Sequence, residues 1–247
     1  MERLAASIQA EGIKPKTIQP EGVPFLEIIR QVLRSKHDLV MITAEGRSVV
    51  REFFFGNTAM RLMRKCPCAV WVVNPRGHNN YTRILAAVDP RPDDEKAEKL
   101  NIKIMDLAIS QANLNNSELH IVHAWEVTGS DLETLCSEEA KLGPKGTNAK
   151  ILHRHESMHR KTLEQLLGLY DLTDVKHHVH LPQGSPATSI TQIADKQQID
   201  LIVMGTVVRT GIPGFLIGNT AESVLHQASC AVLAVKPEGF VTPVTLE

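Results

Sequence analysis

Short apolar runs alternate with amphipathic stretches along most of the chain. The runs predict buried strands, because continuous aliphatic residues suit a sheet that is covered on both faces. Between them, apolar residues recur every three or four positions, as at Leu100, Ile104 and Ala108, which predicts helices. In the C-terminal part, strands are predicted at 83–88, 118–125, 175–181, 201–204 and 231–235, helices at 153–169 and 219–229, and a loop or broken helix at 128–148.

Strands that alternate with helices indicate right-handed crossovers between parallel strands. We therefore predict an α/β fold with a doubly wound, mostly parallel five-stranded sheet, which is a Rossmann-like arrangement. Gly184, Ser185 and Pro186 fit the start of one helix, with Ser185 as its capping residue and Pro186 in its first turn.

The pattern occurs twice along the chain. The Gly-Asn-Thr-Ala run at 56–59 is repeated at 218–221, an offset of 162 residues (218 minus 56). The Cys-Ala-Val run at 68–70 is repeated at 230–232 with the same offset. A constant offset without a gap indicates two copies of one fold unit.

The first copy lacks its N-terminal side. We predict the C-terminal part of a first domain in residues 1–77 and a complete second domain in residues 78–247. Met1 aligns with Leu163, inside the second helix of the complete copy, so two strands and a helix have no counterpart. A sheet without them would expose apolar strand edges. We expect either that the sequence is a fragment or starts at an internal methionine, or that a partner chain fills the gap.

Charge and composition exclude several classes of function. The formal net charge is -1, so no basic field is available to bind nucleic acid. No apolar run approaches the roughly 20 residues of a membrane-spanning helix. Residues 1–10 show no signal-peptide pattern, so we expect a cytoplasmic protein without a membrane partner. The four cysteines (Cys66, Cys68, Cys136 and Cys230) form no disulfide framework and are expected to be reduced core thiols.

Several segments resemble the universal stress protein family. They are the run 83–88 with Asp89 and Pro90 after it, and the runs 119–124, 200–206, 218–222 and 230–235. The resemblance covers nearly all of the second copy and residues 1–75 of the first. The two Gly-Asn-Thr-Ala runs, together with the tail 236–244, resemble the tandem, E-type members found in bacteria. The resemblance implies a role in stress survival, including tolerance of DNA damage.

In ATP-binding members of that family, the Asp that ends the first strand contacts adenine or ribose, and a glycine loop after the fourth strand holds the phosphates. The resemblance assigns these roles to Asp89, Pro90, Gly205, Val208, Gly218, Asn219 and Thr220. In such a loop, backbone amides approach phosphate oxygens, and a helix N-terminus adds partial positive charge. Two positions depart from the pattern, because Val208 replaces a glycine and Asn219 replaces a Ser or Thr. A β-branched Val adopts positive φ only at a cost and would crowd a phosphate.

These candidates also have a simpler interpretation. Asn219 and Glu222 fit a capping box, which would only start a helix. Asp89 would then only cap the turn after its strand. ATP is therefore the candidate ligand of the second copy, and no other cofactor is expected. The first copy, with Thr43 and Asn57 at loop positions and no equivalent of Asp89, is not expected to bind ATP.

The chain contains 11 histidines, which raises the question of a metal site. Two groups are close in sequence: His153, His155 and His159, and then His177, His178 and His180. No cysteine or carboxylate completes a recognisable metal-ligand spacing, so we expect exposed histidines and no metal. His123 is expected to be a polar residue at the rim of the cleft. The sequence has neither a P-loop nor a nucleophile elbow, so no catalytic residues are predicted.

Two hypotheses for the function follow. The first is a non-enzymatic stress-response module that binds a ligand or a partner protein. In the family, two units pair through their last strands, here 69–73 and 231–235, so we expect the two repeats to pair within the chain at high effective concentration. A homodimer or another protein partner is a further expectation. The second hypothesis is an adenine-nucleotide-binding protein with slow ATPase or nucleotide-switch activity in the second domain.

Overall fold

The computed structural model describes residues 12–44, 56–74, 80–127, 147–206 and 217–246. The helices in these ranges are α1 (Pro24–Ser35), α2 (Asn57–Lys65), α3 (Glu95–Asn115), α4 (Thr147–Leu167), α5 (Pro186–Lys196) and α6 (Asn219–Gln227). The strands are β1 (Leu39–Thr43), β2 (Ala69–Val73), β3 (Arg83–Ala87), β4 (Glu118–Val122), β5 (His177–His180), β6 (Leu201–Gly205) and β7 (Ala231–Val235). Among the described residues, no helix combines the length and apolar character needed to cross a membrane.

All seven strands belong to one sheet, in the order β1-β2-β7-β6-β3-β4-β5. Every neighbouring pair is parallel except β2 and β7, which are antiparallel with Trp71 opposite Leu233. The mostly parallel α/β fold predicted from the sequence is therefore confirmed. The single antiparallel contact lies where the last strand of the first repeat meets the last strand of the second.

Helices cover both faces of this sheet. Because side chains alternate along a strand, neighbouring strand residues enter two separate cores. On one face, Ile29 of α1, Leu62 of α2 and Val224 of α6 are fully buried. On the other face, α3 and α4 contribute residues such as Met105 and Leu163. Full burial of one such side chain contributes about 1.5–3 kcal/mol.

The helix ends show why the sequence stops each element where it does. Asp94 caps α3, because its side chain accepts hydrogen bonds from the backbone N–H groups of Lys96 and Ala97 at 3.1 Å. Asn116 ends α3 in the left-handed conformation, with a φ of 52°. Ser185 precedes α5 as predicted, but its side chain makes no capping hydrogen bond, so Pro186 in the first turn is the main local signal.

Two strands are shorter than their predicted ranges by more than one residue. β4 ends at Val122, and beyond it only Trp125 makes an isolated parallel bridge, to Gln183. β5 begins at His177 because the N–H of Val175 donates to the carbonyl of Leu172 in the preceding turn. Both differences arise from local hydrogen bonds of backbone groups. The alternation of apolar and polar side chains in the sequence does not predict these bonds.

Candidate functional site

Asp89 and Pro90 follow β3 at the carboxyl edge of the sheet. The backbone N–H of Asp89 donates to Asn101 Oδ1 at 2.8 Å, and Asn101 Nδ2 donates to the Asp89 carbonyl at 2.9 Å. Asn101 is buried in α3, so this pair fixes the turn after the strand. The Asp89 carboxylate forms an ion pair with Arg91, and its side chain remains 47% exposed. Asp89 therefore presents an accessible carboxylate whose charge Arg91 already balances.

His123, Trp125 and His159 lie together beyond the end of β4. His123 Nδ1 lies 3.2 Å from the Val88 carbonyl, and His123 Nε2 lies 2.9 Å from His159 Nδ1. Because a carbonyl only accepts, we assign the His123 proton to Nδ1 and infer that His159 Nδ1 donates to Nε2. The His159 ring also stacks on Trp125, with ring centroids 5.6 Å apart. Three aromatic side chains thus fill the space beside the Asp89 turn.

The expectation that His123 lies at the rim of a cleft is wrong, since the residue is 2% exposed. Burial is the main cause of its lowered pKa. The charge of Asp89 and the hydrogen bond to Val88 act against this effect, while Arg91 adds to it. His123 is consequently held neutral by its surroundings. The sequence signal that could have revealed this is its place directly after an apolar strand.

Gly205 ends β6 and faces α3 rather than open space. A Cβ atom on Gly205 would lie 2.7 Å from Leu100 Cδ2 and 3.3 Å from Leu100 Cγ. Such a distance is a steric clash with the end of the Leu100 side chain, so a larger residue here would require Leu100 to shift in the core. The packing of Leu100 of α3 therefore favours a glycine at this position. This packing role had no signal in the sequence.

Gly218, Asn219 and Thr220 form the start of α6. The Gly218 N–H donates to the Thr206 carbonyl at 2.7 Å, and the Thr206 N–H donates to the Val235 carbonyl at 3.2 Å. These bonds bring the start of α6 to the end of β6, which lies beside β3 in the sheet. The α6 N-terminus and the Asp89 turn are therefore on the same edge. Val208, which was also predicted to line this site, lies outside the described residues.

The predicted capping box of Asn219 and Glu222 is wrong. Gly218 is the capping residue, with φ of -64° and ψ of 146°, and Asn219 is the first residue of the helix. Gly218 takes this position because its carbonyl accepts from the Glu222 N–H at 2.9 Å. The Glu222 side chain instead forms an ion pair with Arg64 of α2. The glutamate thus connects the two repeats instead of closing the helix terminus.

Lys236 is a buried residue that sequence analysis missed. Its Nζ donates to the carbonyl of Met63 in the first repeat and to Thr206 Oγ1 at 2.8 Å in the second. Nζ also lies 4.8 Å from the ring centroid of Phe240. The side chain is 1% exposed, and burial lowers its pKa to about 8. Lys236 therefore ties the first repeat to the segment from which the candidate loop departs.

The histidines do not all lie in solvent. His153, His177 and His178 are exposed, but His155, His159 and His180 are half-buried, so the expectation of exposure is wrong for these three. The reason is tertiary packing, since His159 covers His123, and His180 Nε2 lies 3.0 Å from Nδ1 of the buried His120. Within the described ranges, no group of three or more histidine, cysteine or acidic side chains is arranged to hold a metal ion.

The sequence of the chain is similar to those of known proteins. The sequence model of the universal stress protein family matches residues 1–74 and 80–236. The chain belongs to the universal stress protein family. Universal stress protein E of Escherichia coli (strain K12) is 32% identical to it over 225 residues, which are 91% of this chain and 68% of the relative. The homologue from Haemophilus influenzae is 29% identical over 211 residues, covering 85% of this chain and 65% of that protein. The chain is thus a tandem universal stress protein of the E type.

Solved structures support the fold. A functionally unknown protein from Pseudomonas aeruginosa PAO1 matches with a TM-score of 0.70 at 24% identity, covering 97% of this chain and 77% of that one. A universal stress protein from Archaeoglobus fulgidus matches with a TM-score of 0.59 at 22% identity, covering 95% and 76%. At such identities the likeness concerns the architecture, so the chemistry of this chain has to be argued from its own residues.

Proposed function

We propose that this universal stress protein acts in the cytoplasm as a non-enzymatic stress-response module that binds a ligand or a partner protein. The observation that carries the proposal is the state of the titratable groups at the carboxyl edge of the second repeat. Asp89 is neutralised by Arg91, and His123 is buried with both ring nitrogens engaged. A general acid or base needs a free site for proton exchange, but Asp89 is ion-paired with Arg91, and both nitrogens of the buried His123 have partners.

The junction between the repeats supports a role in binding other molecules. β2 and β7 join the two halves into one sheet, and the Lys236 hydrogen bonds and the Arg64–Glu222 ion pair cross the same junction. Covalent linkage keeps the two units at high effective concentration, so they act as one surface without needing to associate. A rigid two-unit platform is suited to presenting a large face to a partner protein or to a second copy of the chain.

The second candidate function is adenine-nucleotide binding, with slow hydrolysis or a nucleotide-dependent switch in the second repeat. It is favoured by the accessible Asp89 carboxylate on the same edge as the N-terminus of α6. A helix N-terminus attracts phosphate oxygens, and a carboxylate accepts hydrogen bonds from ribose hydroxyls. ATP would contact both, with its ribose at the Asp89 carboxylate and its phosphates at the N-terminus of α6.

The deciding experiment combines native purification with two matched variants. Small molecules released on denaturation would be identified by mass spectrometry for the native protein, for Asp89→Ala and for the exposed control Asp93→Ala. Adenine nucleotide present in the native protein and in Asp93→Ala, but lost from Asp89→Ala, would establish the second candidate. ATP turnover that disappears with Asp89→Ala would contradict the non-enzymatic proposal. Absence of nucleotide in all three proteins is the result that our first proposal expects.

A further inference from the structure

Two thiols lie side by side where α2 passes into β2. Cys66 Sγ and Cys68 Sγ are 3.5 Å apart, with Pro67 between the two residues. Cys66 is fully buried, whereas Cys68 is half-buried. The spacing is short enough for a hydrogen bond between the sulfur atoms, so one thiol can stabilise the thiolate of the other.

A buried positive charge favours that thiolate. The pKa of Cys66 is lowered chiefly by the hydrogen bond from Cys68, and the Lys236 charge acts in the same direction against burial. The pKa of Cys68 is raised, mainly by the same hydrogen bond, and Asp38 adds to this. The pair therefore favours a single negative charge shared between two sulfur atoms.

The pair is open to small molecules from one side. Cys68 and Pro67 line a cavity of about 640 Å³ that also touches Trp71 and Leu233. A small oxidant in this cavity would meet Cys68 first, and Cys66 lies directly behind it. The two sulfurs thus have the arrangement of an attacked thiol and a resolving thiol.

We propose that Cys66 and Cys68 form a redox-active dithiol that a hydroperoxide converts into a disulfide. Along the hydrogen bond between the sulfur atoms, the Cys68 proton moves to the Cys66 thiolate as Cys68 reacts. The Cys68 thiolate attacks one peroxide oxygen, the O–O bond breaks, and the proton held by Cys66 converts the departing alkoxide into an alcohol, or hydroxide into water. The Cys66 thiolate then attacks the Cys68 sulfenic acid, the S–S bond forms, and hydroxide leaves as water. Two electrons pass from the two thiols to the peroxide.

The disulfide would be reversible. Only one residue separates the cysteines, so the ring closed by the S–S bond is small and strained. Strained disulfides have higher reduction potentials and are readily reduced by cellular thiols. Oxidation would also remove the negative charge beside Lys236, whose Nζ connects Met63 and Thr206 across the repeat junction. Oxidation of the thiols would therefore change the electrostatic surroundings of Lys236 at the contact between the two repeats.

The second repeat contains an internal control. Cys230 occupies the position equivalent to Cys68, while Ala228 stands where the first repeat has Cys66. Cys230 is buried, and burial raises its pKa to about 12. It has neither a neighbouring thiol at the equivalent position nor a lowered pKa, so it should resist the same oxidant.

The test uses the full chain with Cys136→Ser, which removes the one cysteine outside the described residues. After treatment with hydrogen peroxide, the protein is denatured, alkylated with N-ethylmaleimide, digested and analysed by mass spectrometry. We expect the peptide with Cys66 and Cys68 to lose two hydrogens and to take up no maleimide, about tenfold faster than Cys230 is oxidised. A thiol reductant should restore both alkylation sites.

Two variants sharpen the result. Cys66→Ala copies the second repeat, so no disulfide should form and Cys68 should be oxidised as slowly as Cys230. Lys236→Met should slow disulfide formation, and Lys236→Arg, which keeps the charge, should restore much of the rate. The proposal is overturned if Cys66 and Cys68 remain alkylatable in the native protein after peroxide has oxidised Cys230.

Discussion

The two repeats contain nearly the same strand in very different surroundings. β1 and β6 are both preceded by an Asp and begin with Leu, followed by further aliphatic residues. Leu201 and Val203 of β6 are 0% exposed, whereas Leu39 and Met41 of β1 are 39% and 61% exposed. β6 lies between β7 and β3, while β1 has a neighbour on one side only among the described strands. The comparison shows that an apolar run of residues specifies the extended conformation of a strand. The neighbouring strands and helices decide whether its side chains are buried.

The largest expected effect comes from truncating the same leucine in each repeat. Leu201→Ala should lower the free energy of unfolding by about 3 kcal/mol, because it leaves a cavity in a closed core. Leu39→Ala should cost less than about 1 kcal/mol, because its side chain already contacts solvent. Urea denaturation of the two variants measures both values. Equal losses would mean that β1 is covered in solution as fully as β6.

The second prediction concerns β4 and β5, at the end of the sheet opposite β1. Burial is the main cause that lowers the pKa of His120 to about 4, from 6.5, and the charge of His180 adds to it. The folded state thus disfavours protonated His120. The contribution of neutral His120 to the free energy of unfolding is fully present above pH 6.5. It is lost as the pH falls towards 4, because the unfolded chain binds the proton first.

The loss should be on the order of 2–3 kcal/mol between about pH 7 and about pH 4.5. Urea denaturation at both pH values would measure it, for the native protein and for His120→Gln. We expect the free energy of unfolding to depend less on pH in His120→Gln than in the native protein. In the exposed control His153→Gln it should depend on pH as it does in the native protein. The same pH dependence in all three proteins would show that folding does not lower the pKa of His120.

The third prediction compares Gly205 with Thr43, its equivalent in the first repeat. Gly205→Ala should destabilise the protein by about 1–3 kcal/mol, because the added Cβ meets Leu100 Cδ2. Thr43→Ala should change stability by less than about 0.5 kcal/mol, because Thr43 is exposed. Thermal unfolding of both variants tests the pair. A neutral Gly205→Ala would leave phosphate approach as the remaining reason for that glycine.

The smallest expected effect is at the Arg64–Glu222 ion pair. Its side chains are 39% and 37% exposed, so solvent screens their attraction. A double-mutant cycle of Arg64→Ala and Glu222→Ala should give a coupling energy below about 1 kcal/mol, smaller still at high salt. A clearly larger, salt-insensitive coupling would identify this pair as a main contact of the repeat junction.

Much of the fold followed from local patterns. The apolar runs and their spacing predicted the strands of the second repeat, since burial on both faces leaves an unbroken aliphatic signature. In the candidate site, the sequence placed Asp89 after β3 and a helix start near Gly218. The hydrogen bonds of Gly218 to Thr206 and of His123 to His159 could not be predicted, because each pair is distant in sequence.

The sequence by itself determined the repeat and the order of strands and helices in the second repeat. These are local properties, since periodicity, glycine and proline act within a few residues. Only the tertiary structure decided that Lys236 is buried between Met63 and Thr206 and that Gly205 is a packing residue. It also decided that the sulfur atoms of Cys66 and Cys68 lie 3.5 Å apart. The physical reason is that burial, charge proximity and steric clash depend on which distant segments the fold brings together.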